Sequence, residues 1–62
     1  MNIELSTAHR RRLREVWRSA GWPFQDTLEA ELLLGGWLER RWDQAQRVTV
    51  HLTDSGLRAI VD

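Results

Sequence analysis

The sequence predicts a small α+β domain with the element order α-α-β-β-α, in which the two strands form one hairpin. Two observations predict it: apolar residues recur at helical spacing before residue 20 and after residue 26, and they alternate with polar residues over 48–52. With 62 residues the chain forms a single domain over 1–62, and without cysteine its stability has to come from apolar burial.

The first predicted helix starts after Ser6, a good N-cap residue, and runs to about residue 20. We expect Gly21 to end it, because glycine is common directly after a helix. Arg12 lies on the other side of the apolar stripe from the remaining arginines. The buried stripe follows the spacing i, i+3, i+4, i+7 and consists of Leu13, Val16, Trp17 and Ala20.

The second predicted helix starts at Asp26, which with Glu29 three residues later forms an N-capping pattern. In the loop before this helix, Pro23 favours an extended backbone at the preceding residue, Trp22. The helix is expected to end at Gly35–Gly36. Its apolar residues are too many for one narrow stripe, which predicts burial on more than one side: Leu28, Leu32, Leu33 and Leu34.

The predicted hairpin pairs residues 37–42 with 48–52 through a turn at 43–46. Val48, Val50 and Leu52 form its buried face, and His51 between them is expected to point to solvent. On the first strand, Leu38 and Trp42 share a face that also includes Arg40, so the alternation there is less regular than on the second strand.

Thr53 is the predicted cap of a third helix, with Leu52 and Leu57 spaced as a hydrophobic staple. A helix this short is marginal alone, so its stripe is either held on the core or belongs to a natural protein that continues beyond Asp62; we expect the second. The predicted core consists of Leu13, Val16, Trp17, Leu28, Leu32, Leu38, Val48, Val50, Leu52, Leu57 and Ile60.

The second half of the chain resembles winged-helix proteins, and most closely the wing and following helix of MarR-type regulators. The resemblance covers about residues 26–61 and is carried by Gly36, Leu38, Glu39, Arg40 and Arg41, and by Leu52, Thr53, Asp54 and Gly56. It implies a winged-helix fold in which the helix before the wing reads the DNA major groove.

The chain departs from that family in its first half. Winged helices usually place three helices before the wing, but the interval from Gly21 to Gly36 has room for only one. That helix contains Asp26, Glu29 and Glu31 and no arginine, and three carboxylates facing phosphates would repel them. These residues argue against groove reading by this helix.

Two groups of arginines are candidate nucleic-acid contacts in a chain with zero net charge. For each group the sequence favours the alternative of a solvated face, in which Glu15 moderates the charge of the first group and Glu39 and Asp43 that of the second. The first group lies on one flank of the first helix and the second near the hairpin tip: Arg10, Arg11, Arg14 and Arg18, then Arg40, Arg41 and Arg47.

Three aromatic residues are candidate partner-binding residues, because exposed aromatic rings are enriched at interaction hot spots: Trp22, Phe24 and Trp42. The alternative is structural, with Trp22 and Phe24 closing the end of the helix pair and Trp42 packing against the final helix. We expect Trp17 and Trp37 to be core residues.

No catalytic, metal or cofactor site is expected. His9 and His51 are too few for a zinc site, no nucleophile is placed beside a base, and no glycine-rich phosphate loop opens a helix. No apolar run resembles a signal peptide or membrane span, so we expect a cytoplasmic protein. The sequence favours a protein-interaction or regulatory module, which docks through the aromatic corner or last helix or self-associates; the alternative is a DNA-binding module that uses the two arginine groups.

Overall fold

A computed structural model describes residues 4–61, and over this range it contains three helices and one antiparallel pair of strands. The predicted α+β class and element order are confirmed, and a single helix lies between the first helix and the hairpin. The elements are α1 (Thr7–Arg18), α2 (Thr27–Leu34), β1 (Leu38–Trp42), β2 (Val48–Leu52) and α3 (Asp54–Ile60).

Each helix begins at the predicted capping residue. The Ser6 hydroxyl accepts a hydrogen bond from the His9 backbone N–H, and His9 Nδ1 accepts one from the Ser6 N–H, so His9 completes a capping box. Asp26 accepts from the Glu29 N–H at 2.9 Å, and Thr53 accepts from the Gly56 N–H at 3.2 Å. Short-range capping patterns therefore located all three helix starts.

The end of α1 differs from the prediction. The helix stops at Arg18 with Ser19 as its C-cap, so Gly21 does not terminate it. Gly21 instead has a φ of +87°, and its carbonyl accepts a hydrogen bond from the Val50 N–H at 2.8 Å. A Cβ at this position would lie only 2.9 Å from the Val50 carbonyl oxygen, so glycine permits the loop after α1 to approach β2 closely.

The core lies between α1, α2 and the hairpin, and α3 covers it with half-buried residues. Trp37, Leu52 and Ile60 are half-buried and pack against this core. Three further residues of the predicted core are also half-buried but do not belong to the cluster: Leu28, Val48 and Leu57. The fully buried apolar residues are Leu13, Val16, Leu32, Leu38 and Val50, all of them predicted.

The prediction that Trp17 is a core residue is wrong, because its side chain is 60 % exposed. Ala20 is exposed as well, while His9 is buried. The buried stripe of α1 therefore runs through His9, Leu13 and Val16, at i, i+4 and i+7, which turns Trp17 to the rim of the contact with α3. Leu34 on α2 is exposed too, so burial of that helix is less extensive than predicted.

The hairpin register pairs Leu38 with Leu52, Arg40 with Val50 and Trp42 with Val48. Arg40 and Trp42 therefore share the face of Leu38, as the sequence indicated. Only the Leu38 end of β1 is buried, because the core does not extend to the hairpin tip. His51 lies on the opposite face, half-buried, with Nε2 2.9 Å from the Thr49 hydroxyl.

The start of α3 is fixed to the segment before β1. The Thr53 N–H donates to the Trp37 carbonyl at 3.1 Å, and the Thr53 hydroxyl donates to the Gly36 carbonyl. Gly56 is buried, and a Cβ there would collide with the Trp37 carbonyl oxygen, so glycine permits α3 to approach this backbone closely. Leu57 and Ile60 are half-buried and Val61 is exposed, so the core holds the α3 stripe only in part.

Candidate interaction surfaces

Arg12 differs from the other arginines of α1 because it contacts residues of the loop before α2. Its two terminal nitrogens donate to the two carboxylate oxygens of Asp26 at 3.0 and 2.9 Å, and its guanidinium carbon lies 3.9 Å from the centre of the Phe24 ring. The hydrogen bonds from Arg12, and then the one from the Glu29 N–H, lower the pKa of Asp26 below its ordinary value. Arg12 thereby joins α1 to the loop before α2.

Glu29 is the most deeply buried polar side chain in the described range and organises the same loop. Its two carboxyl oxygens accept hydrogen bonds from the backbone N–H groups of Phe24, at 3.1 Å, and Gln25, at 2.9 Å. Gln25 has a φ of +57°, which is unfavourable for a residue with a side chain. Glu29 therefore holds a strained backbone in place instead of reaching the Asp26 N–H as a full capping box requires.

The loop residues Trp22 and Phe24 are 62 % and 46 % exposed, on either side of the half-buried Pro23. A shallow cavity of about 220 Å³ lies among these three residues and Ser19. The alternative that both rings close the end of the helix pair is wrong for Trp22. Phe24 lies against Arg12 with part of its ring in solvent.

A groove of about 350 Å³ separates this loop from the exposed end of the hairpin. Pro23 lines both this groove and the shallow cavity beside Trp22, so the three predicted partner-binding rings border adjoining depressions. Trp42 is 66 % exposed, so it is not packed against α3 as the alternative required. We call Trp22, Pro23, Phe24 and Trp42 the aromatic surface.

The three hairpin arginines do not form one surface. Arg41 donates to Glu39 at 2.6 and 2.9 Å, and Arg47 donates to Asp43 at 3.2 Å. Arg40 lies on the other face and lines the groove beside Trp42, and it makes no ion pair with any residue of the described range. The positive charge that the sequence places at the hairpin tip is thus partly neutralised within the hairpin.

The four arginines of the α1 flank are exposed, and within residues 4–61 none of them makes an ion pair, not even with Glu15: Arg10, Arg11, Arg14 and Arg18. Arg14 and Arg18 border a second groove, of about 300 Å³, between α1 and α3. The remaining residues that line it are Trp17, Leu57, Ile60 and Val61.

The carboxylates of α2 are engaged rather than free, which corrects the argument that they would repel phosphate. Asp26 binds Arg12, Glu29 is buried, and Glu31 lies 3.1 Å from His9 Nε2. Because His9 Nδ1 accepts the Ser6 N–H, the ring proton is on Nε2 and is donated to Glu31. These pairs tie α2 to α1. α2 still presents no arginine for groove reading.

Sequence reasoning missed two residues of these surfaces, Arg12 and Trp17. A signal for Arg12 exists, since it lies three residues after His9 and four before Val16 and therefore on the buried side of α1. Over the described residues, no three side chains of the types that bind metals converge, and no helix has the length and apolar character needed to cross a membrane.

Comparisons of the chain with protein-family models, with curated proteins and with solved structures found no match.

Proposed function

We propose that this chain is a non-catalytic protein-interaction or regulatory module that docks a partner protein through the aromatic surface. The observation that carries the proposal is the exposure of Trp22, Phe24 and Trp42 around two adjoining depressions that share Pro23 as a wall. The partner is a different protein, with self-association as the alternative.

The energetic support comes from the size of the exposed rings. Trp22 and Trp42 each leave more than half of their side-chain area in water. Burial of a large aromatic side chain contributes about 2 kcal/mol, so the two rings would supply a substantial part of the binding free energy as hot-spot residues.

The loop is also held in one conformation before any partner arrives. Glu29 accepts both N–H groups of Phe24 and Gln25, and Arg12 stacks on the Phe24 ring. A surface that is already ordered loses little conformational entropy on binding. This favours a role in recognition over a role as an incidental exposed loop.

The charged side chains around the groove beside Trp42 indicate which kind of partner segment it accepts. Asp26 is paired with Arg12, and both carboxyl oxygens of Glu29 are occupied, which leaves the Arg40 guanidinium as the uncommitted charge beside Trp42. A partner segment with an apolar side chain next to a carboxylate would fill the groove and pair with Arg40.

The scaffold in this proposal is a shortened winged-helix-like domain of the MarR type, in a cytoplasmic protein. It is supported by the helix-helix-hairpin-helix order and by the Leu-Thr-Asp-x-Gly segment, in which Thr53 caps α3 and Gly56 packs on Trp37. The helix before the hairpin, α2, has no arginine for groove reading, which favours a regulatory role through protein contacts.

DNA binding is the second candidate function, favoured by the exposed and unpaired arginines of the α1 flank. It ranks lower because Arg41 and Arg47 are neutralised within the hairpin and the chain has no net positive charge. A titration of duplex DNA at about 50 mM salt separates the two, since phosphate contacts give a steep salt dependence.

The interaction proposal is tested with the variants Trp22→Ala and Trp42→Ala against Leu34→Ala, which removes an equally exposed apolar side chain on α2. Proteins cross-linked to the wild-type chain are identified, purified and titrated against each variant by calorimetry. We expect each tryptophan variant to weaken binding at least tenfold, as hot-spot residues do, and Leu34→Ala to bind as wild type.

Circular dichroism accompanies these titrations. If Trp22→Ala unfolds the domain, the residue is structural and its role in docking is wrong. Equal losses for Trp22→Ala and Leu34→Ala would show that any exposed apolar residue matters, and that result also contradicts the aromatic surface.

A further inference from the structure

The groove between α1 and α3 is a second unpartnered surface, and it shares no lining residue with the aromatic surface. Of the six described residues that line it, four are apolar. Trp17 and Val61 stand at its rim and are 60 % and 69 % exposed, while Leu57 and Ile60 are half-buried beneath them. Such a strip accommodates one apolar helix face or an extended apolar segment.

Among residues 4–61, the charged side chains that line the groove are both positive. Arg14 and Arg18 line it, no acidic side chain of these residues does, and neither arginine makes an ion pair within the same range. Arg18 Nε donates to the Arg14 carbonyl oxygen at 3.4 Å, which keeps its guanidinium beside the end of α1. Arg10 and Arg11 continue the positive flank away from the groove.

We propose that the α1–α3 groove binds an acidic amphipathic helix of a partner protein. Leucine-like side chains of that helix would lie between Trp17 and Ile60, and its glutamates or aspartates would pair with Arg14 and Arg18. Apolar contacts supply affinity in this arrangement, and the complementary charges supply selectivity and a faster association rate.

Two other occupants fit the groove less well. A second copy of this chain docked by two-fold symmetry would bring each arginine pair close to its own equivalent, and like charges repel. Duplex DNA would satisfy Arg14 and Arg18, but its phosphate backbone offers no apolar side chain for Trp17, Leu57, Ile60 and Val61.

The probe is a synthetic helical peptide with leucines at i, i+3, i+4 and i+7 and glutamates on both flanks, compared with its twin in which every glutamate is lysine. Each peptide is titrated into the isotopically labelled 62-residue chain at low ionic strength, and amide shifts are followed by NMR. We expect the acidic peptide to shift residues of α1 and α3, and the lysine twin to bind at least tenfold more weakly.

Arg14→Glu tests the charge and Trp17→Ala tests the apolar rim. Both side chains are exposed, so both variants should fold, as circular dichroism will check. We expect Arg14→Glu to weaken the acidic peptide about fivefold or more and to strengthen the lysine twin, because it replaces an attraction with a repulsion. The matched control is Arg47→Glu, an equal change of charge at the hairpin tip, which should leave both affinities unchanged.

Several results would overturn the proposal. The first is absence of acidic-peptide binding, and the second is equal affinity for the two peptides. Equal effects of Arg14→Glu and Arg47→Glu would show that only net charge matters. Shifts that map to Trp22 and Trp42 would place the peptide on the aromatic surface instead. Concentration-dependent dimers abolished by Trp17→Ala, or duplex DNA binding that Arg14→Glu abolishes while peptide binding is absent, would assign the groove to those occupants.

Discussion

Arg12 and Arg14 are two residues apart on α1, yet they lie in opposite environments. Arg12 is held by Asp26 and Phe24 with only 13 % of its side chain exposed, whereas Arg14 stands in solvent beside an apolar groove. Around Arg12, nearly all polar side-chain groups are hydrogen-bonded within the chain. In the α1–α3 groove, the arginines make no ion pair among the described residues, and part of the apolar area stays exposed to water.

This difference separates residues that serve folding from residues left over for recognition. The contacts of Glu29, Arg12 and Asp26 fix one loop conformation, so substitutions there should cost stability. The exposed residues of the α1–α3 groove are Arg14, Trp17, Arg18 and Val61, so substitutions of these residues should cost binding alone. The chemical type of the side chain does not decide between the two roles; the neighbouring element does.

The largest expected effect follows Glu29→Ala. The change leaves the N–H groups of Phe24 and Gln25 without their acceptors and releases a loop with a strained residue, which should lower the free energy of unfolding by roughly 2 to 3 kcal/mol. Urea unfolding followed by circular dichroism measures it. Glu15→Ala, an exposed glutamate of α1, is the control and should change stability by less than about 0.5 kcal/mol. Similar losses for the two variants would contradict the role given to Glu29.

A smaller effect, dependent on pH, is expected for Asp26→Asn. Arg12 lowers the pKa of Asp26 in the folded chain, so the stabilising contribution of this carboxylate is complete above its ordinary pKa of 3.8 and is lost as the pH falls through the lowered folded value. The melting temperature of wild type should exceed that of Asp26→Asn at neutral pH, and the difference should shrink below pH 3.8. A difference that stays constant down to the acid limit would show that the pair with Arg12 does not stabilise the fold.

The smallest effect on stability is expected for Val61→Ser at the rim of the α1–α3 groove. Because the side chain is 69 % exposed, the unfolding free energy should change by less than about 0.5 kcal/mol. Thermal melts of the variant and wild type measure it. A loss comparable with that of Glu29→Ala would mean that Val61 belongs to the core and that the groove is part of the folding surface.

The elements could be predicted because their signals are local. Ser6, Asp26 and Thr53 each cap a helix through a hydrogen bond that spans three residues. The alternation over 48–52 predicts a strand, and Val50 at its centre is buried. These patterns depend on neighbours along the chain alone, so the sequence contains them in full. The interval from Gly21 to Gly36 is also short enough to predict that only one helix precedes the hairpin there, as the structure has it.

The surfaces could not be predicted in the same way, because they depend on contacts between distant residues. Arg12 meets Asp26 fourteen positions later, and His9 meets Glu31 twenty-two positions later. The residue spacing of α1 fits a stripe from Leu13 through Trp17 to Ala20 as well as one that begins at His9, and the packing of α2, β2 and α3 selects the second. Exposure of Trp22, Phe24 and Trp42 was an open alternative in the sequence for the same reason.

The hydrogen bond from the Val50 N–H to the Gly21 carbonyl has a consequence for what the sheet can join. In a two-stranded sheet, the outward amides of each strand are templates on which a foreign strand can add, and such additions lead to aggregates. The loop after α1 occupies the central amide of β2, where an invading strand would need it. The molecule should therefore resist strand-to-strand polymerisation along β2.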